Sequence, residues 1–265
     1  MSSFDKQIHE IARLMKKARS ILFITGAGVS ADSGLPTYRG IGGLYNDAGT
    51  DEGVSIETAL SGEMLDTRPE VTWKYLCRIE ERCRSARFNR AHEVIALAEG
   101  AFPRVRVLTQ NIDGFHGAAG SRNVIDIHGD MHDIFCPACG WRRRVADYRD
   151  IDIPPLCPDC CRRARPDVVF FGEMLPRLKC DRLALELETG FDLYFSIGTT
   201  SVFPYIAGPV IQARSRNKPV VEINPAQTAV SDQADIKISG RAAEVLDAIW
   251  AAYVSASKMR CNVIK

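Results

Sequence analysis

Seven short apolar runs lie along the chain, each rich in valine, isoleucine or phenylalanine. Runs of this length and composition are typical of strands that are buried on both faces of a sheet. The predicted strands are residues 21–25, 105–109, 124–127, 168–171, 193–197, 220–223 and 236–238.

Helical patterns lie between several of these strands. Near the N-terminus, Phe4, Ile8, Ile11 and Met15 recur at helical spacing, and a second apolar stripe covers residues 242–253. Strands that alternate with helices predict an α/β fold, a Rossmann-like doubly wound parallel sheet.

Two segments break this alternation. Residues 40–62 are rich in glycine and polar side chains, and we interpret them as a long loop that leads into helices. Residues 136–166 are rich in cysteine, arginine and proline and contain too few apolar residues to build a core of their own. The second segment therefore needs another source of stability.

Four cysteines in that segment predict a structural zinc site. Cys136 and Cys139 form one C-x2-C pair, Cys157 and Cys160 form another, and seventeen residues separate the two pairs. Four thiolates close a tetrahedron around the ion and leave no open position, which excludes a catalytic role for the metal. Cys161 is an alternative fourth ligand, but the spacing of Cys160 mirrors the first pair.

Composition and charge narrow the class of protein. The 265 residues are 46% hydrophobic and 25% charged, with a formal net charge of +1, so bulk electrostatic binding to nucleic acid is not indicated. No apolar run approaches the roughly 18 residues of a membrane helix, and no secretory core is evident. We expect a cytoplasmic enzyme, in which nine cysteines indicate metal binding or catalysis rather than disulfides.

A glycine-rich turn follows the first predicted strand directly. Its sequence, Gly26-Ala27-Gly28-Val29-Ser30-Ala31, matches the G-x-G-x-x-A pattern that cradles phosphates. In that pattern Gly26 permits the turn, Gly28 allows a pyrophosphate to approach, and Ala31 lets a following helix pack closely. The acidic residue that usually binds the ribose, about 20 residues further on, is missing.

Several motifs in sequence order resemble those of the sirtuins, the NAD-dependent protein lysine deacylases. The resemblance extends from about residue 20 to residue 250. The matching segments are Gly26-Ala-Gly-Val-Ser-Ala-Asp-Ser-Gly-Leu-Pro-Thr-Tyr-Arg39, Thr109-Gln-Asn-Ile-Asp113, His128-Gly-Asp130, the cysteine quartet, Phe170-Phe-Gly-Glu173, Gly198-Thr-Thr200 and Asn224-Pro225.

The resemblance implies two structural parts with a cleft between them that binds NAD and acyl-lysine. The Rossmann-like NAD-binding domain is expected to comprise residues 1–39, 88–131 and 167–265. Residues 40–87 are expected to form a cofactor-binding loop and helical module, and residues 132–166 a zinc-ribbon module.

The resemblance also implies roles for individual residues. His128 is the expected catalytic base, with Asn111 as a second catalytic residue, and NAD is consumed to give nicotinamide, free lysine and O-acyl-ADP-ribose. The expected NAD contacts are Gly26, Ala27, Gly28, Ser30, Ala31, Tyr38, Arg39, Gln110, Asn111, Ile112, Asp113, Gly198, Thr199, Thr200, Asn224 and Ala242. The expected partners are proteins that carry acyl-lysine, while the sequence does not define the oligomeric state.

A pair of residues in a predicted helix bears on which acyl group the substrate lysine carries. Tyr75 and Arg78 are three residues apart in a segment with helical periodicity, and they resemble the Tyr-x-x-Arg pair of sirtuins that prefer succinyl- or malonyl-lysine. An arginine suits such a carboxylate because its donors form a fork. The alternative is that Tyr75 lies in the helical core and Arg78 on the surface, and acetyl-lysine is a candidate substrate in either case.

Two other functions remain alternatives to a deacylase. One is a protein ADP-ribosyltransferase on the same fold, and the other is a non-catalytic module that binds NAD and zinc. The presence of Asn111, Asp113 and His128 together argues against the second alternative.

Overall fold

A parallel sheet and a smaller antiparallel sheet organise the protein in a computed structural model, which describes residues 2–37 and 50–262, with side chains as far as residue 256. The strands are β1 Ser20–Thr25, β2 Arg104–Thr109, β3 Val124–Asp126, β4 Gly129–Phe135, β5 Arg142–Arg144, β6 Arg165–Val168, β7 Leu193–Ile197, β8 Val220–Ile223 and β9 Ile236–Ile238. The helices are α1 Ser3–Lys17, α2 Ile56–Ala59, α3 Gly62–Thr67, α4 Pro69–Arg84, α5 Arg90–Ala101, α6 Phe115–Ala118, α7 Arg177–Thr189, α8 Pro204–Ser215 and α9 Ala242–Asn262.

The larger sheet has six parallel strands in the order β3-β2-β1-β7-β8-β9. This is a doubly wound arrangement, because the strand order reverses direction at β1, where β2 and β7 flank it. Six of the seven predicted strands belong to this sheet. The α/β prediction is therefore confirmed.

Helices cover both faces of this sheet, as the apolar runs predict. Ile21 and Phe23 of β1 belong to a core with α1, α5 and α9, whereas Leu22 and Ile24 belong to a second core with α7 and α8. Alternate residues of the same strand thus enter opposite cores, which is why the whole run is apolar.

The second sheet has three antiparallel strands in the order β5-β4-β6. The prediction of a buried strand at residues 168–171 was wrong: the strand is β6, it ends at Val168, and it pairs with β4. β4 and β5 were not predicted, since β4 alternates polar with apolar residues and β5 is three exposed arginines. Pairing with β4, rather than apolar content, stabilises β5.

This small sheet shares one hydrophobic core with α2, α3 and α4. Leu65 and Trp73 from the helices pack in the same cluster as Ile134, Tyr148 and Val168 from the sheet region. The Trp73 and Tyr148 rings are 5.4 Å apart. Two segments that are distant in sequence thus bury their apolar faces against one another.

The helix expected after the glycine-rich turn is replaced by two short 3₁₀ turns, Ala27–Val29 and Ala31–Ser33. The second turn ends at Gly34, whose φ of 84° places it in the left-handed region, and Pro36 follows. A left-handed glycine and a nearby proline both stop helix propagation.

Within residues 2–37 and 50–262, none of the helices has both the length and the apolar character required to cross a bilayer.

Candidate active site

A cavity of about 870 Å³ lies at the carboxyl ends of the parallel strands, between the two parts of the protein. In open α/β sheets, ligands bind at this edge, where the strand order reverses. The segments that follow β1, β2, β7 and β8 contribute to its wall, and the small part contributes apolar side chains. Its lining includes Gly26, Ala27, Gly28, Ala31, Leu76, Ile79, Gln110, Asn111, Ile112, His128, Gly198, Thr199, Thr200, Tyr205, Asn224 and Ala242.

The glycine-rich turn crosses the loop after β7 at very short range. A Cβ added to Gly28 would lie 2.6 Å from Gly198 Cα, and one added to Gly26 would lie 2.8 Å from Thr199 Cβ. The Gly28 amide donates a hydrogen bond of 2.8 Å to the Gly198 carbonyl. Gly28 is therefore required for the contact between these two backbone segments, both of which line the cavity.

A buried polar cluster lies beside this crossing. The Ser30 hydroxyl donates to Asp113 Oδ2 at 2.7 Å, and Asn111 Nδ2 donates to the Gly26 carbonyl and to Ser30 Oγ, each at 3.2 Å. Burial raises the pKa of Asp113. These side chains also line a smaller adjoining cavity, whose other lining residues are mostly apolar and include Ile112, together with Arg82.

A second hydrogen-bonded set connects the loops after β2, β7 and β8. Gln110 Nε2 donates to Thr199 Oγ1 at 2.7 Å, and Asn224 Nδ2 donates to the Thr199 carbonyl at 3.0 Å. Thr199 Oγ1 also accepts from the Ser201 amide at 3.1 Å. The three loops are thus held in one arrangement along the cavity wall.

His128 follows β3 and contacts the cavity from the same edge of the sheet. Its Nδ1 lies 3.0 Å from the Gln110 carbonyl oxygen, and its Nε2 lies 2.7 Å from the Tyr205 hydroxyl. Burial lowers the pKa of His128, and the charge of Lys179 lowers it further, against the hydrogen bond to Gln110. The imidazole is therefore neutral at neutral pH, the form in which it can accept a proton.

The first residues of α9 close one end of the cavity. Asp32, in the second 3₁₀ turn, accepts a 2.8 Å hydrogen bond from the Ala243 amide and contacts the Arg241 guanidinium. This contact places Ala242 in the cavity wall near the glycine-rich turn. An acidic residue at a helix N-terminus also stabilises the helix through its dipole.

Tyr75 and Arg78 are not brought into the cavity wall; their partners are two acidic residues of this chain. The Tyr75 hydroxyl donates to Glu52 Oε2 at 2.5 Å, and Arg78 Nη2 lies 2.7 Å from Asp51 Oδ2. The α4 residues that do line the cavity are Leu76 and Ile79, one position further along. Successive residues of an α-helix are rotated by about 100° around the helix axis. Leu76 and Ile79 therefore face the cavity, whereas Tyr75 and Arg78 face Glu52 and Asp51.

The four predicted metal ligands come together. The sulfur atoms of Cys136, Cys139, Cys157 and Cys160 all lie within 4.8 Å of one another, and two of the Sγ–Sγ distances are 3.5 Å. These separations fit a tetrahedral zinc ion with bonds of about 2.3 Å. Cys161, which is exposed, is not part of this cluster among the described side chains.

The strand-end motifs of the cavity were predicted from the sequence, but other residues of its lining were not. Tyr205, Leu76 and Ile79 were not nominated, because neither a family motif nor their own residue type pointed to a site. The predicted NAD contacts Tyr38 and Arg39 lie outside the described residues. The remaining nominated residues with described structure, apart from Ser30, Asp113, Tyr75, Arg78 and the cysteines, line the larger cavity.

Comparisons with known proteins agree with this geometry. The model of the Sir2 family matches residues 26–204. The NAD-dependent protein deacylase 2 of Pseudomonas aeruginosa is 46% identical over 242 residues, which cover 90% of this chain and 94% of that protein. The chain belongs to the Sir2 family, as the sequence motifs indicated.

Solved structures of Sir2 homologues share the whole fold. A mutant Sir2 homologue in complex with ADP-ribose has a TM-score of 0.87 and 32% identity, covering 97% of this chain and 98% of its own. A Sir2 homologue in complex with NAD has a TM-score of 0.84 and 33% identity, covering 93% of this chain and 94% of its own.

Proposed function

We propose that the protein is an NAD-dependent protein lysine deacylase that produces nicotinamide, free lysine and O-acyl-ADP-ribose. The observation that carries the proposal is the position of His128: a neutral, half-buried imidazole in the same cavity as the glycine crossing and Asn111. When bound, NAD supplies an electrophilic ribose carbon and a nicotinamide leaving group. Proteins with acylated lysines are the proposed second substrate.

The residues present fit NAD. The side-chain-free crossing of Gly26 and Gly28 over Gly198 suits a pyrophosphate, which needs close approach to backbone. Ala27, Ala31, Gln110, Thr199, Thr200, Asn224 and Ala242 are proposed contacts of the remaining nucleotide. Tyr38 and Arg39 are proposed contacts from the sequence motif alone.

The smaller cavity fits the nicotinamide group. Asp113 presents a carboxylate held by Ser30, and Ile112 supplies an apolar wall. A carboxylate can accept the N–H groups of a carboxamide. Asn111, fixed by the Gly26 carbonyl and Ser30, is proposed to orient the adjacent ribose.

His128 is proposed to remove a proton from a ribose hydroxyl. Partial desolvation of the half-buried ring lowers its pKa and favours the neutral form, and Nε2 faces Tyr205 within the cavity wall. A general base within hydrogen-bond reach of the hydroxyl contributes about 10²–10⁴-fold to such a step. Loss of this side chain is therefore expected to abolish measurable turnover.

A neutral acyl group is proposed for the lysine substrate. The α4 side chains in the cavity wall, Leu76 and Ile79, are apolar, and Phe170 adds a third apolar surface. A succinyl or malonyl carboxylate placed against these apolar side chains would lose hydration, and the Arg78 guanidinium already pairs with Asp51. Acetyl-lysine, or a longer aliphatic acyl-lysine, fits this lining better.

Cys136, Cys139, Cys157 and Cys160 are proposed to hold one zinc ion with a structural role. They lie in the small sheet region, outside the cavity wall. The domain boundaries given by the sequence also stand as a proposal.

The decisive experiment is mass spectrometry of one peptide with a single acetyl- or succinyl-lysine, incubated with the protein with and without NAD. NAD-dependent loss of the acyl mass, with O-acyl-ADP-ribose among the products, is expected for the acetyl peptide. The matched control is His128→Asn, which should fold normally but leave the peptide unchanged. NAD-dependent ADP-ribose mass on a protein, with no deacylation, would instead identify a transferase.

A further inference from the structure

An aromatic pair encloses the imidazole of His128. The rings of Phe203 and Tyr205 are stacked, with centroids 5.4 Å apart, and both meet the His128 ring edge-on. Tyr205 lies in the first turn of α8, directly after Pro204. The Tyr205 hydroxyl is thereby directed at Nε2, 2.7 Å away.

The hydrogen-bond partners fix the proton positions. The Gln110 carbonyl can only accept, so Nδ1 of His128 carries the proton and donates to it. In a neutral imidazole, Nε2 is then a lone-pair acceptor, and the phenol must donate to it. Burial raises the pKa of Tyr205 to about 12, so that the hydroxyl keeps its proton at neutral pH.

The ionisable groups around this pair leave the assignment unchanged. Lys179 of α7 faces His128 and disfavours the imidazolium form, and its ammonium group is paired with Asp126 at 3.1 Å. Cys180 lies on the Tyr205 side and also opposes ionisation of the phenol. Both neighbours favour a neutral histidine beside a neutral tyrosine.

This pairing occupies the atom that the proposed reaction needs. If His128 removes a proton from a ribose hydroxyl, that hydroxyl must donate to Nε2, whose single lone pair accepts one strong hydrogen bond at a time. We propose, on the basis of the proposed function, that Tyr205 is a positioning residue whose hydroxyl occupies Nε2 in the free protein and is exchanged for the ribose hydroxyl. The phenol keeps the base in its accepting tautomer until that exchange.

Exchange of the Tyr205 hydroxyl for the ribose hydroxyl at Nε2 predicts a measurable change in the affinity for ADP-ribose. Breaking the internal hydrogen bond opposes binding, so its removal in Tyr205→Phe should tighten ADP-ribose binding by about 2- to 10-fold, given the typical net strength of one hydrogen bond. The phenylalanine ring preserves the stacking on Phe203. Truncation of a residue with a purely structural role would not increase the affinity of the protein for ADP-ribose.

The first test examines the free protein by ¹⁵N NMR of ring-labelled histidine near pH 8. His128 signals are assigned by their loss in His128→Asn. In the wild type, Nδ1 should be protonated and Nε2 should be a hydrogen-bonded acceptor. In Tyr205→Phe, Nε2 should move toward the resonance of an unbonded acceptor nitrogen, with Nδ1 unchanged. An unshifted Nε2, or a proton on Nε2 in the wild type, would overturn the proposal.

The second test measures the Kd of ADP-ribose by calorimetry for the wild type, Tyr205→Phe and the control Tyr253→Phe. Tyr253 lies on α9 and stacks on Phe102, away from the cavity. We expect Tyr205→Phe to bind ADP-ribose more tightly than the wild type, and Tyr253→Phe to bind it with the wild-type Kd. Wild-type binding with no gain in Tyr205→Phe would refute the exchange, whereas absence of wild-type binding would refute the NAD cavity itself and with it the proposed function.

Discussion

Gly28 and Gly198 meet backbone to backbone: the Gly28 amide donates to the Gly198 carbonyl at 2.8 Å, with no space for a side chain on either residue. A Cβ on Gly198 would lie 2.5 Å from Gly28 C, and Gly198 also has a φ of 58°. The crossing joins the loops after β1 and β7 across the middle of the sheet. It therefore fixes the positions of these two loops relative to one another in the cavity wall.

The Gly28→Ala variant tests this crossing. The added methyl group must push the two backbone segments apart, and overpacking of this kind lowers the free energy of unfolding by about 1–3 kcal/mol. ADP-ribose binding should weaken in the same variant. Urea unfolding and calorimetry measure the two effects.

Gly100→Ala is the matched control for that substitution. Gly100 lies in α5 and has no atom within 4 Å of an added Cβ, so alanine should preserve or slightly raise stability through its helix propensity. Equal destabilisation by both substitutions would contradict the proposed importance of the crossing.

The acyl preference can be tested on two positions of α4 that differ by one residue. Ile79→Arg places a cation in the cavity wall and should shift the ratio of desuccinylation to deacetylation upward by about tenfold, equivalent to 1.4 kcal/mol. Arg78→Leu removes a guanidinium group that lies outside the cavity wall and pairs with Asp51, so it should leave that ratio unchanged. Competition between the two acyl peptides, read by mass spectrometry, gives both ratios; a selective loss of desuccinylation in Arg78→Leu would restore the Tyr-x-x-Arg hypothesis.

The zinc proposal predicts a defined effect of single cysteine substitutions. Cys139→Ser removes one of four clustered thiols and should reduce bound zinc from about one ion per chain to near zero, because structural zinc sites need all their ligands. The small core around Trp73 should then unfold at lower urea concentration, observed by tryptophan fluorescence. The Cys161→Ser variant should retain its zinc ion. Loss of zinc from this variant would instead show that Cys161 is the fourth ligand.

A buried histidine pair should make the protein sensitive to acid. His92 and His116 are fully buried, with ring centroids 4.9 Å apart. Burial lowers the pKa of His92 to about 4 and lowers that of His116 well below its usual range. Since protonation is easier in the unfolded chain, where histidine has a pKa of about 6.5, their contribution to stability is complete above that pH and is lost as the pH falls toward 4.

The size of this effect can be measured. His92 alone should account for about 2 kcal/mol of unfolding free energy lost between pH 7 and pH 5, from single-group linkage. Urea unfolding at both pH values should show a smaller loss for His92→Phe than for the wild type. The exposed residue His9 provides the control, as His9→Gln should show the wild-type loss; an identical loss in His92→Phe would exclude the buried ring as its source.

The pattern of the sequence predicted the parallel sheet because its strands are buried on both faces and must be apolar throughout. β4 and β5 were not predicted for the opposite reason: Arg142–Arg144 are exposed, and β4 is only half apolar. The expected helix after Ala31 was also wrong, since Gly34 and Pro36 act locally against it.

At the site, residues in compact motifs could be nominated from the sequence, whereas residues selected by packing could not. The cysteine quartet and His128 have neighbours whose identity and spacing reveal them. Leu76 and Ile79 have ordinary helical surroundings, and only the packing of α4 on the small core determines that they, and not Tyr75 and Arg78, face the cavity. The contact between Tyr205 and His128 joins residues 77 positions apart, which no local pattern contains.

The shared core of α2–α4 and the small sheet has a consequence for synthesis on the ribosome. Trp73, which has no exposed surface in the folded protein, is made long before Ile134 and Val168, its companions in that core. The apolar face of α2–α4 therefore remains exposed until the cysteine-rich segment of the small sheet has been synthesised. During that interval the nascent chain presents a surface of the kind that chaperones bind, and arrival of the zinc-binding segment ends the exposure.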